Sequence, residues 1–405
     1  MKIICGGVSA PKGFKASGIY SGIRKNPNKK DLALIYSENL CNAAAVYTQN
    51  KIKAAPLYVT HTHMQGKKAQ AIICNSGNAN ACTENGIDVA ESMCKIAASE
   101  LGIAQNHVLV ASTGVIGVPM SVEPIKNSME SLAKGLSVDG SDDCANAIMT
   151  TDTAKKEIAV SFEIAGKTVN IGAVAKGSGM IHPNMATMLC FITTDASVAQ
   201  PLLQKALSRC ISDTFNMISV DGDTSTNDMV LLLANGQAQN ATILDEQSCE
   251  YDTFAAALMH VCKHLAIAIA KDGEGATKLL TCNVCGAQKD DDARALAKSV
   301  ITSSLFKAAM FGEDANWGRV LCALGYADAD FDAMKTCVAF KSELGEVLVC
   351  KNGCTYPFDE EYASRVLSSK SVVIDISVGD GAKCATAWGC DLTYDYVKIN
   401  GDYRS

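Results

Sequence analysis

Residues 176–191 read KGSGMIHPNMATMLCF, and the interpretation of the whole fold depends on this stretch. Glycines and a proline precede an Ala186–Thr187 junction, and an apolar run follows it. By local pattern alone, this is a Gly/Pro loop that enters a buried strand, with Thr187 as one more β-branched residue at its start. The same glycines also permit the positive φ angles of a strained turn in which the threonine hydroxyl attacks the carbonyl of Ala186.

The composition is that of a globular protein with no basic surface. The chain has 405 residues, 48% of them hydrophobic and 20% charged, which argues against disorder and is enough for two or three domains' worth of core. A net charge of −7 and a pI near 5.5 give no electrostatic footprint for nucleic acid or an anionic membrane. We therefore expect neither as a partner.

The cysteines and the N-terminus indicate a cytoplasmic protein. The first twenty residues lack the apolar segment of a secretory signal. The 18 cysteines are then expected to be reduced and mostly buried, rather than to form a disulfide framework. The most apolar helical stretch, residues 254–270, carries a lysine and two histidines and is shorter than the ~20 residues that a bilayer requires, so no membrane span is predicted.

Strand and helix patterns alternate irregularly, which predicts an α+β fold rather than a regular βαβ repeat. Residues 165–166 are predicted to turn a hairpin. The glycine and charge run at 286–295 is the best candidate linker, giving predicted domains 1–286 and 287–405. Strands are predicted at 32–36, 69–74, 157–164, 168–174, 229–233 and 372–378, and helical stripes near 89–97, 203–211 and 254–265.

Two motifs resemble metal-binding sites, but one lacks the required geometry and the other a required residue. No metal or organic cofactor is expected. Cys282 and Cys285 form a CxxC, but the surrounding LLTCNVCG predicts a strand, in which positions three apart face opposite ways. His260 and His264 lie one helical turn apart, yet HVCKH lacks the glutamate of a zinc-protease helix.

Thr187 has a specific chemical use. A threonine hydroxyl is a weak nucleophile unless a base lies beside it, and its own α-amino group serves once the preceding peptide bond is cut. A free α-amino group titrates near ~7.7–8.0, so a useful fraction is unprotonated at neutral pH.

The stretch around Thr187 closely resembles the maturation segment of the ornithine acetyltransferase family, also called bifunctional glutamate N-acetyltransferase/amino-acid acetyltransferases. The resemblance covers nearly the whole chain, and its specificity comes from motifs that occur in the family's order. These are NSGNANACT at 75–83, ASTGVIG at 111–117, AIMTTDT at 147–153, SVDGDTSTND at 219–228, KDGEGATK at 271–278, GEDANWGRV at 312–320 and YVKINGDYRS at 396–405.

The resemblance implies a layered α/β sandwich of the self-processing amino-terminal-nucleophile type, with a smaller C-terminal α/β domain whose tail returns to the active site. It implies self-cleavage between Ala186 and Thr187, with the two chains staying together. Thr187 would be the nucleophile, and Thr113 and Gly114 would form the oxyanion hole. By pattern alone, the Thr113–Gly114 pair is a simple turn.

The family's substrate contacts also carry over by resemblance. A lysine pairs with the substrate α-carboxylate and a glutamate with its free ammonium, whereas pattern alone would place both charges on the solvated surface. The chain departs from the family at Ala315, where a proline is common, and at Ser405, where a threonine is common. The matching positions are Thr150, Lys176, Thr187, Glu274, Asn400 and Ser405.

The implied activity is transfer of an acetyl group from N2-acetyl-L-ornithine to L-glutamate through an acetyl-threonine, in arginine biosynthesis. The motifs leave open whether acetyl-CoA also donates, and the ornithine-only reaction is favoured. An assembly of two α and two β chains is implied. Two alternatives remain: a related self-processing aminopeptidase or amidase, and a catalytically idle metabolite-binding protein.

Overall fold

The computed structural model describes residues 1–182 and 188–402. The strands are β1 (Lys2–Ile4), β2 (Phe14–Ile19), β3 (Leu32–Tyr47), β4 (Lys68–Asn78), β5 (Val108–Val115), β6 (Lys156–Ile164), β7 (Lys167–Lys176), β8 (Leu189–Thr194), β9 (Ile218–Ser219), β10 (Met229–Ala234), β11 (Leu279–Ala287), β12 (Cys337–Ser342), β13 (Gly345–Lys351), β14 (Cys354–Thr355), β15 (Ser371–Ser377) and β16 (Lys383–Cys390). The helices are α1 (Ala55–His63), α2 (Gly86–Leu101), α3 (Glu123–Lys134), α4 (Ser141–Ile148), α5 (Gln200–Asp213), α6 (Cys249–Lys271), α7 (Asp290–Thr302), α8 (Ser304–Phe311), α9 (Trp317–Gly325), α10 (Glu360–Leu367) and α11 (Tyr394–Gly401).

These elements form two compact units. The first unit comprises Met1–Gly177, Pro183–Phe215 and Thr224–Leu265, and the second comprises Ser178–His182, Asn216–Asp223 and Ala266–Ser405.

The first unit is built on a mixed sheet in the order β1-β6-β7-β8-β10-β3-β4-β5, with β2 paired to β3. One apolar core takes side chains from both halves of this sheet: Val174, Leu189, Phe191, Met229 and Leu231 from one half, and Ala33, Ile35, Ile72, Leu109 and Ala111 from the other. The long β3 joins the halves, and its register with β4 shifts between Tyr36 and Cys41. The sheet therefore folds back on itself into two facing layers.

Helices cover the outer faces of these layers. Alternate residues of β3, β4 and β5, such as Ile73 and Val110, pack against α2 and α3 in a second core. On the other outer face, Cys190 of β8 lies close to Cys210 of α5 and Cys262 of α6. The layers are helix, sheet, sheet and helix, which confirms the predicted α+β class and its sandwich arrangement.

Most of the sequence patterns are confirmed. Each predicted strand lies within an observed strand or within one residue of it, and the three apolar stripes lie on α2, α5 and α6. β6 and β7 form the predicted hairpin through Ala165 and Gly166, whose φ angles of 47° and 76° match the right-handed twist of the flanking strands.

The second unit has its own sheet, in the order β14-β13-β12-β15-β11-β16-β9. The buried residues of α7 and α10 pack on its inner face. β11 pairs with both β15 and β16, so residues 279–287 belong to this sheet. The contact-defined units therefore divide the chain differently from the predicted boundary at 286/287, and the predicted linker is the connection from β11 into α7.

Two sequence-based expectations need correction: the length of the most apolar helix and the absence of disulfides. α6 has 23 residues, so it is long and apolar enough to cross a membrane by length and composition alone. Half of its most apolar stretch is buried inside the protein, as in a core helix.

Ten of the sixteen free cysteines are buried, as predicted, but Cys285 and Cys384 form a disulfide between directly paired positions of β11 and β16. Cys282 is buried and faces away from Cys285, as the strand pattern predicts.

Candidate active site

The predicted oxyanion residues lie at the end of β5. Gly114 has a φ of 132°, and a Cβ there would lie only 2.4 Å from the carbonyl carbon of Gly77 on β4. Both the backbone angle and the close strand approach therefore require glycine. Thr113 is buried, with 7% of its surface exposed, and the parallel register pairs it with Ser76.

Three polar side chains hold this end of β5 in place. The hydroxyl of Ser112 donates to Asn75 Oδ1 at 2.6 Å, and the Asn75 amide donates to the carbonyl of Asn78 at 2.9 Å. The amide of Asn227 donates to the carbonyls of Ala79 at 2.6 Å and Ser112 at 2.8 Å. The sequence motifs contained Asn75 and Asn227, but their spacing gave no sign of this bracing role.

Lys176 ends β7 and points toward Thr113. Its Nζ donates a hydrogen bond to Thr113 Oγ1 at 3.3 Å, and the residue is only 9% exposed. Within residues 1–182 and 188–402, no carboxylate forms an ion pair with Lys176. Its charge favours ionisation of the nearby Asp152 and Asp228, and a buried ammonium that makes no direct ion pair is suited to receive a carboxylate from a ligand.

Asp152 organises the backbone beside Lys176. Its carboxylate pairs with the buried Lys156 at 2.7 Å and accepts hydrogen bonds from the backbone amides of Gly177 at 2.7 Å and Thr150 at 2.9 Å. Burial opposes ionisation of this carboxyl, but Lys176 and Lys156 outweigh burial and hold its pKa at about 2. Asp152 thus fixes the position of Thr150 relative to the end of β7.

Asp228 directly precedes β10 and was not found by sequence reasoning. The residue is 3% exposed, and its Oδ2 atom has no hydrogen-bond partner in the described part of the chain. Burial raises the pKa of the carboxyl well above its usual range, while a hydrogen bond from the Ser225 hydroxyl and the charge of Lys176 act in the opposite direction. In the sequence, Asp228 ends the motif SVDGDTSTND and stands immediately before the wholly apolar MVLLLA, but neither pattern gave it a role.

The second unit holds the other predicted substrate residues. Glu274 is 6% exposed, and its Oε2 accepts a hydrogen bond from the Asn400 amide at 2.7 Å. The Glu274 backbone amide donates to the Ser178 carbonyl at 3.0 Å. A Cβ at Gly179 would lie 2.3 Å from the Glu274 carboxyl, so the glycine makes room for this side chain.

α11 is anchored in this unit by its first turn. The Thr393 hydroxyl caps the helix by accepting from the Tyr396 amide at 3.3 Å, and it donates to the Gly275 carbonyl at 2.7 Å. The Tyr396 hydroxyl donates to Asp221 at 3.3 Å. Burial and the neighbouring Asp221 raise the pKa of Tyr396. These bonds bring Asn400, in the last turn, to Glu274.

The structure thus brings together Thr113, Gly114, Thr150 and Lys176 in one unit, and Glu274 and Asn400 in the other. Ala186, Thr187 and Ser405 lie outside the described residues, so their roles stay predictions. In the described ranges, no group of three histidine, cysteine, aspartate or glutamate side chains is arranged to hold a metal ion.

Comparison with known proteins places the chain in a family. The profile of the ArgJ family matches residues 15–405. The chain is 53% identical over 406 residues to the arginine biosynthesis bifunctional protein ArgJ of Caldanaerobacter subterraneus subsp. tengcongensis, with 100% of each chain covered. It is also 53% identical over 407 residues to the protein of that name from Symbiobacterium thermophilum, again with full coverage of both.

A solved structure agrees with these relatives. The crystal structure of the arginine biosynthesis bifunctional protein argJ from Bacillus halodurans is 43% identical, with a TM-score of 0.50. The match covers 97% of that polypeptide but 52% of this chain. A match of the family profile to nearly the whole sequence, together with full-length relatives at this identity, shows that the chain belongs to the ArgJ family.

Proposed function

We propose that the protein transfers the acetyl group of N2-acetyl-L-ornithine to L-glutamate through an acetyl-threonine at Thr187, in arginine biosynthesis. The observation that carries this proposal is the buried Lys176 ammonium, which has no carboxylate partner in the described chain and lies 3.3 Å from the Thr113 hydroxyl. The site therefore combines a cation for an amino-acid carboxylate with donors for a developing oxyanion.

The bond between Lys176 and Thr113 also orients the threonine hydroxyl. An ammonium group can only donate, so the Thr113 oxygen must accept from Lys176. The hydroxyl hydrogen of Thr113 is then left to donate elsewhere. Together with the backbone N–H of Gly114, it provides the two donors needed by the tetrahedral intermediate of acyl transfer.

Maturation by cleavage between Ala186 and Thr187 is part of the proposal. The products would be chains of residues 1–186 and 187–405, the second making up about 54% of the 405 residues. The half-length Bacillus halodurans polypeptide, which spans 52% of this chain, supports such a division. Cleavage consumes one water: its hydroxyl completes the Ala186 carboxylate, and the nitrogen of Thr187 becomes a free amine.

Acetyl transfer then takes place in two steps. The Thr187 oxygen bonds to the acetyl carbon, its proton passes to the α-amine, and the acetyl–nitrogen bond breaks as that proton is delivered to the departing ornithine. Glutamate's amine attacks the acetyl-threonine ester, and the Thr187 oxygen regains its proton. The same donors stabilise the oxyanion in both steps, so one site serves both substrates.

The substrate contacts follow from charge. Lys176 binds the carboxylate of the amino acid, and Thr150, held by Asp152, borders the same position. Glu274 binds the free ammonium of ornithine, with Asn400 hydrogen-bonded to its carboxylate. Thr187 and Ser405 complete the proposed contacts.

A kinetic experiment tests the function. Initial rates against N-acetylornithine and glutamate should give parallel double-reciprocal lines, and intact mass after acid quenching should show one acetyl group on the 187–405 chain. Intersecting lines without that adduct would contradict the acetyl-threonine route. Release of free acetate with no transfer to glutamate would favour the related amidase, and an uncleaved, inactive chain would favour the metabolite-binding protein.

The finer features belong to the same proposal. We expect N-acetylornithine to be the donor, and assays with acetyl-CoA in its place measure whether a second donor is used. Two α and two β chains in a cytoplasmic C2 assembly are expected, and sedimentation of the purified protein measures the mass of that assembly.

A further inference from the structure

We propose that Asp221 is a positioning residue for Glu274, because its carboxylate holds together the two segments that enclose the Glu274 side chain. These segments are residues 178–181, which follow β7, and α11, the last helix. The inference rests on the proposed function, in which Glu274 binds the free ammonium of N-acetylornithine. It deepens that function by giving a part in substrate selection to a residue outside the predicted set of site residues.

Residues 178–181 are fixed against the loop that carries Glu274. The Ser178 hydroxyl donates to the carbonyl of Asp272 at 2.6 Å, and the Ser178 carbonyl accepts from the Glu274 amide at 3.0 Å. The Glu274 carboxyl lies so close to Gly179 that a Cβ on the glycine would be 2.3 Å from it. The backbone of this segment therefore forms one wall around the Glu274 side chain.

Asp221 fixes the other end of this segment. Its two carboxylate oxygens accept from the amides of Met180 at 2.7 Å and Ile181 at 2.9 Å, and the Val220 amide donates to the Ile181 carbonyl at 2.7 Å. Met180 has a φ of 56°, a left-handed conformation that is uncommon for a residue with a side chain. Hydrogen bonds from two successive amides to one carboxylate stabilise this conformation, so the backbone next to Gly179 depends on Asp221.

The same carboxylate binds α11. The Tyr396 hydroxyl donates to Asp221 Oδ2 at 3.3 Å, the oxygen that also accepts from the segment 178–181. One turn further along the helix, the Asn400 amide donates to the Tyr396 carbonyl at 3.1 Å and to Glu274 Oε2 at 2.7 Å. Both elements that contact the Glu274 carboxyl are therefore held by Asp221.

The position of Glu274 decides how well it binds an ammonium. A hydrogen bond between a carboxylate and an ammonium needs a distance of about 2.7–2.9 Å between oxygen and nitrogen, and it weakens as that geometry is lost. A displaced Glu274 should therefore lose its preference for a substrate that carries an ammonium. A substrate without the ammonium should bind as before.

The ratio of the kcat/KM values for N2-acetyl-L-ornithine and N2-acetyl-L-norvaline measures this preference, since the norvaline compound has the same carbon chain without the terminal ammonium. Asp221→Asn keeps the size of the side chain but turns an NH2 group toward a backbone N–H. We expect the ratio to fall at least about tenfold, with the value for the norvaline compound changed by less than about threefold. A purely structural defect would lower both values together.

A double-mutant cycle tests whether Asp221 acts through Glu274. Glu274→Gln should lower the same ratio, and adding Asp221→Asn to it should then change the ratio by less than about twofold. Asp223→Asn is the matched control, because Asp223 is an exposed acid in the same loop and its replacement removes the same unit of charge. It should leave the ratio within about twofold of the wild type, since exposed charges are screened.

The outcomes separate this proposal from the proposed function. An unchanged ratio in Glu274→Gln overturns the proposed ammonium contact, and with it the role of Asp221. If Glu274→Gln lowers the ratio but Asp221→Asn does not, or if the two effects add in the double variant, only the role of Asp221 is overturned. If Asp221→Asn does not fold or mature, Tyr396→Phe decides, since it frees α11 from Asp221 and leaves residues 178–181 bound. It should lower the ratio at least about threefold, and an unchanged ratio would overturn the proposal.

Discussion

Lys176 Nζ lies 3.3 Å from Thr113 Oγ1, although β7 and β5 are five positions apart in the strand order of the sheet. In a flat sheet these strands would be about 24 Å apart, at roughly 4.8 Å per strand. The contact exists because the sheet folds back at β3 and both side chains point into the space between its layers. The contact between these two side chains therefore depends on the two layers facing each other.

The Thr113 hydroxyl is expected to act on kcat rather than on substrate binding. Thr113→Val keeps the volume and removes the proposed oxyanion donor, so kcat should fall by about 10²–10³ with little change in KM. Thr113→Ser keeps a hydroxyl and should retain most of the activity. Steady-state kinetics of the two cleaved variants decide the matter, and equal losses in both would mean that packing of the methyl group, rather than the hydroxyl, is what matters.

The two buried lysines should behave in opposite ways. Lys176→Met removes a cation that forms no direct ion pair in the described chain, although its charge favours ionisation of Asp152, so the unfolding free energy should fall by less than in Lys156→Met. The KM for N-acetylornithine should increase at least tenfold, because a charge-assisted hydrogen bond of about 1.5–3 kcal/mol is lost.

Lys156→Met is the matched comparison, since it breaks the buried pair with Asp152 at 2.7 Å. Its unfolding free energy should fall by about 3 kcal/mol, with a smaller change in KM. Urea unfolding of both variants measures the change in unfolding free energy, and steady-state kinetics measure the change in KM. Equal effects of the two substitutions on KM would argue against Lys176 as the carboxylate-binding residue.

Much of the fold was predictable because its signals are local. Alternating and helical apolar patterns located three of the eleven helices in the described chain and the strands β3, β4, β6, β7, β10 and β15, and the Ala165–Gly166 turn identified its hairpin. The predicted boundary at 286/287 rests on a glycine followed by charged residues, a pattern that occurs both between domains and inside a single domain. Only the pairing of β11 with β15 and β16, which is non-local, assigns that strand to the second unit.

The candidate site was predicted only through family resemblance, and the roles of its residues stay predictions. Lys176 and Glu274 have the sequence surroundings of surface charges, yet they are 9% and 6% exposed. Their burial depends on strands and loops far along the chain. Asp228 belongs to the quoted motif at 219–228 but was given no role, because an acid before an apolar strand is typical of a strand end and its unsatisfied oxygen is visible only when its surroundings are known.

Asp152 should give the protein a pH-dependent increment of stability. Its folded-state pKa of about 2 lies below the ordinary 3.8, so the stabilisation is complete above about pH 4 and is lost as the pH falls from 4 toward 2. The increment is about 2 kcal/mol. We expect urea unfolding at several pH values to show that the difference in unfolding free energy between wild type and Asp152→Asn becomes smaller as the pH falls from 4 toward 2. A difference of constant size from pH 3 to 7 would disprove the low pKa of Asp152.

Asn400 should matter to catalysis far more than to folding. Its side chain is exposed in the last turn of α11, where a substitution ordinarily changes stability by less than about 0.5 kcal/mol. Its amide nevertheless donates to Glu274 at 2.7 Å. Asn400→Ala removes this donor and should raise the KM for N-acetylornithine by about tenfold, since Glu274 loses the bond that orients it toward an ammonium.

Asn400→Asp goes further, because it replaces the donor with a second carboxylate beside Glu274. Repulsion should turn the Glu274 side chain and raise the KM above that of Asn400→Ala. Lys398→Ala, an exposed change in the same helix, is the control and should leave KM within about twofold, and the variants should unfold at similar temperatures. If Asn400→Ala and Lys398→Ala have the same kinetics as the wild type, the last turn of α11 is an ordinary chain end and Asn400 has no part in holding the substrate.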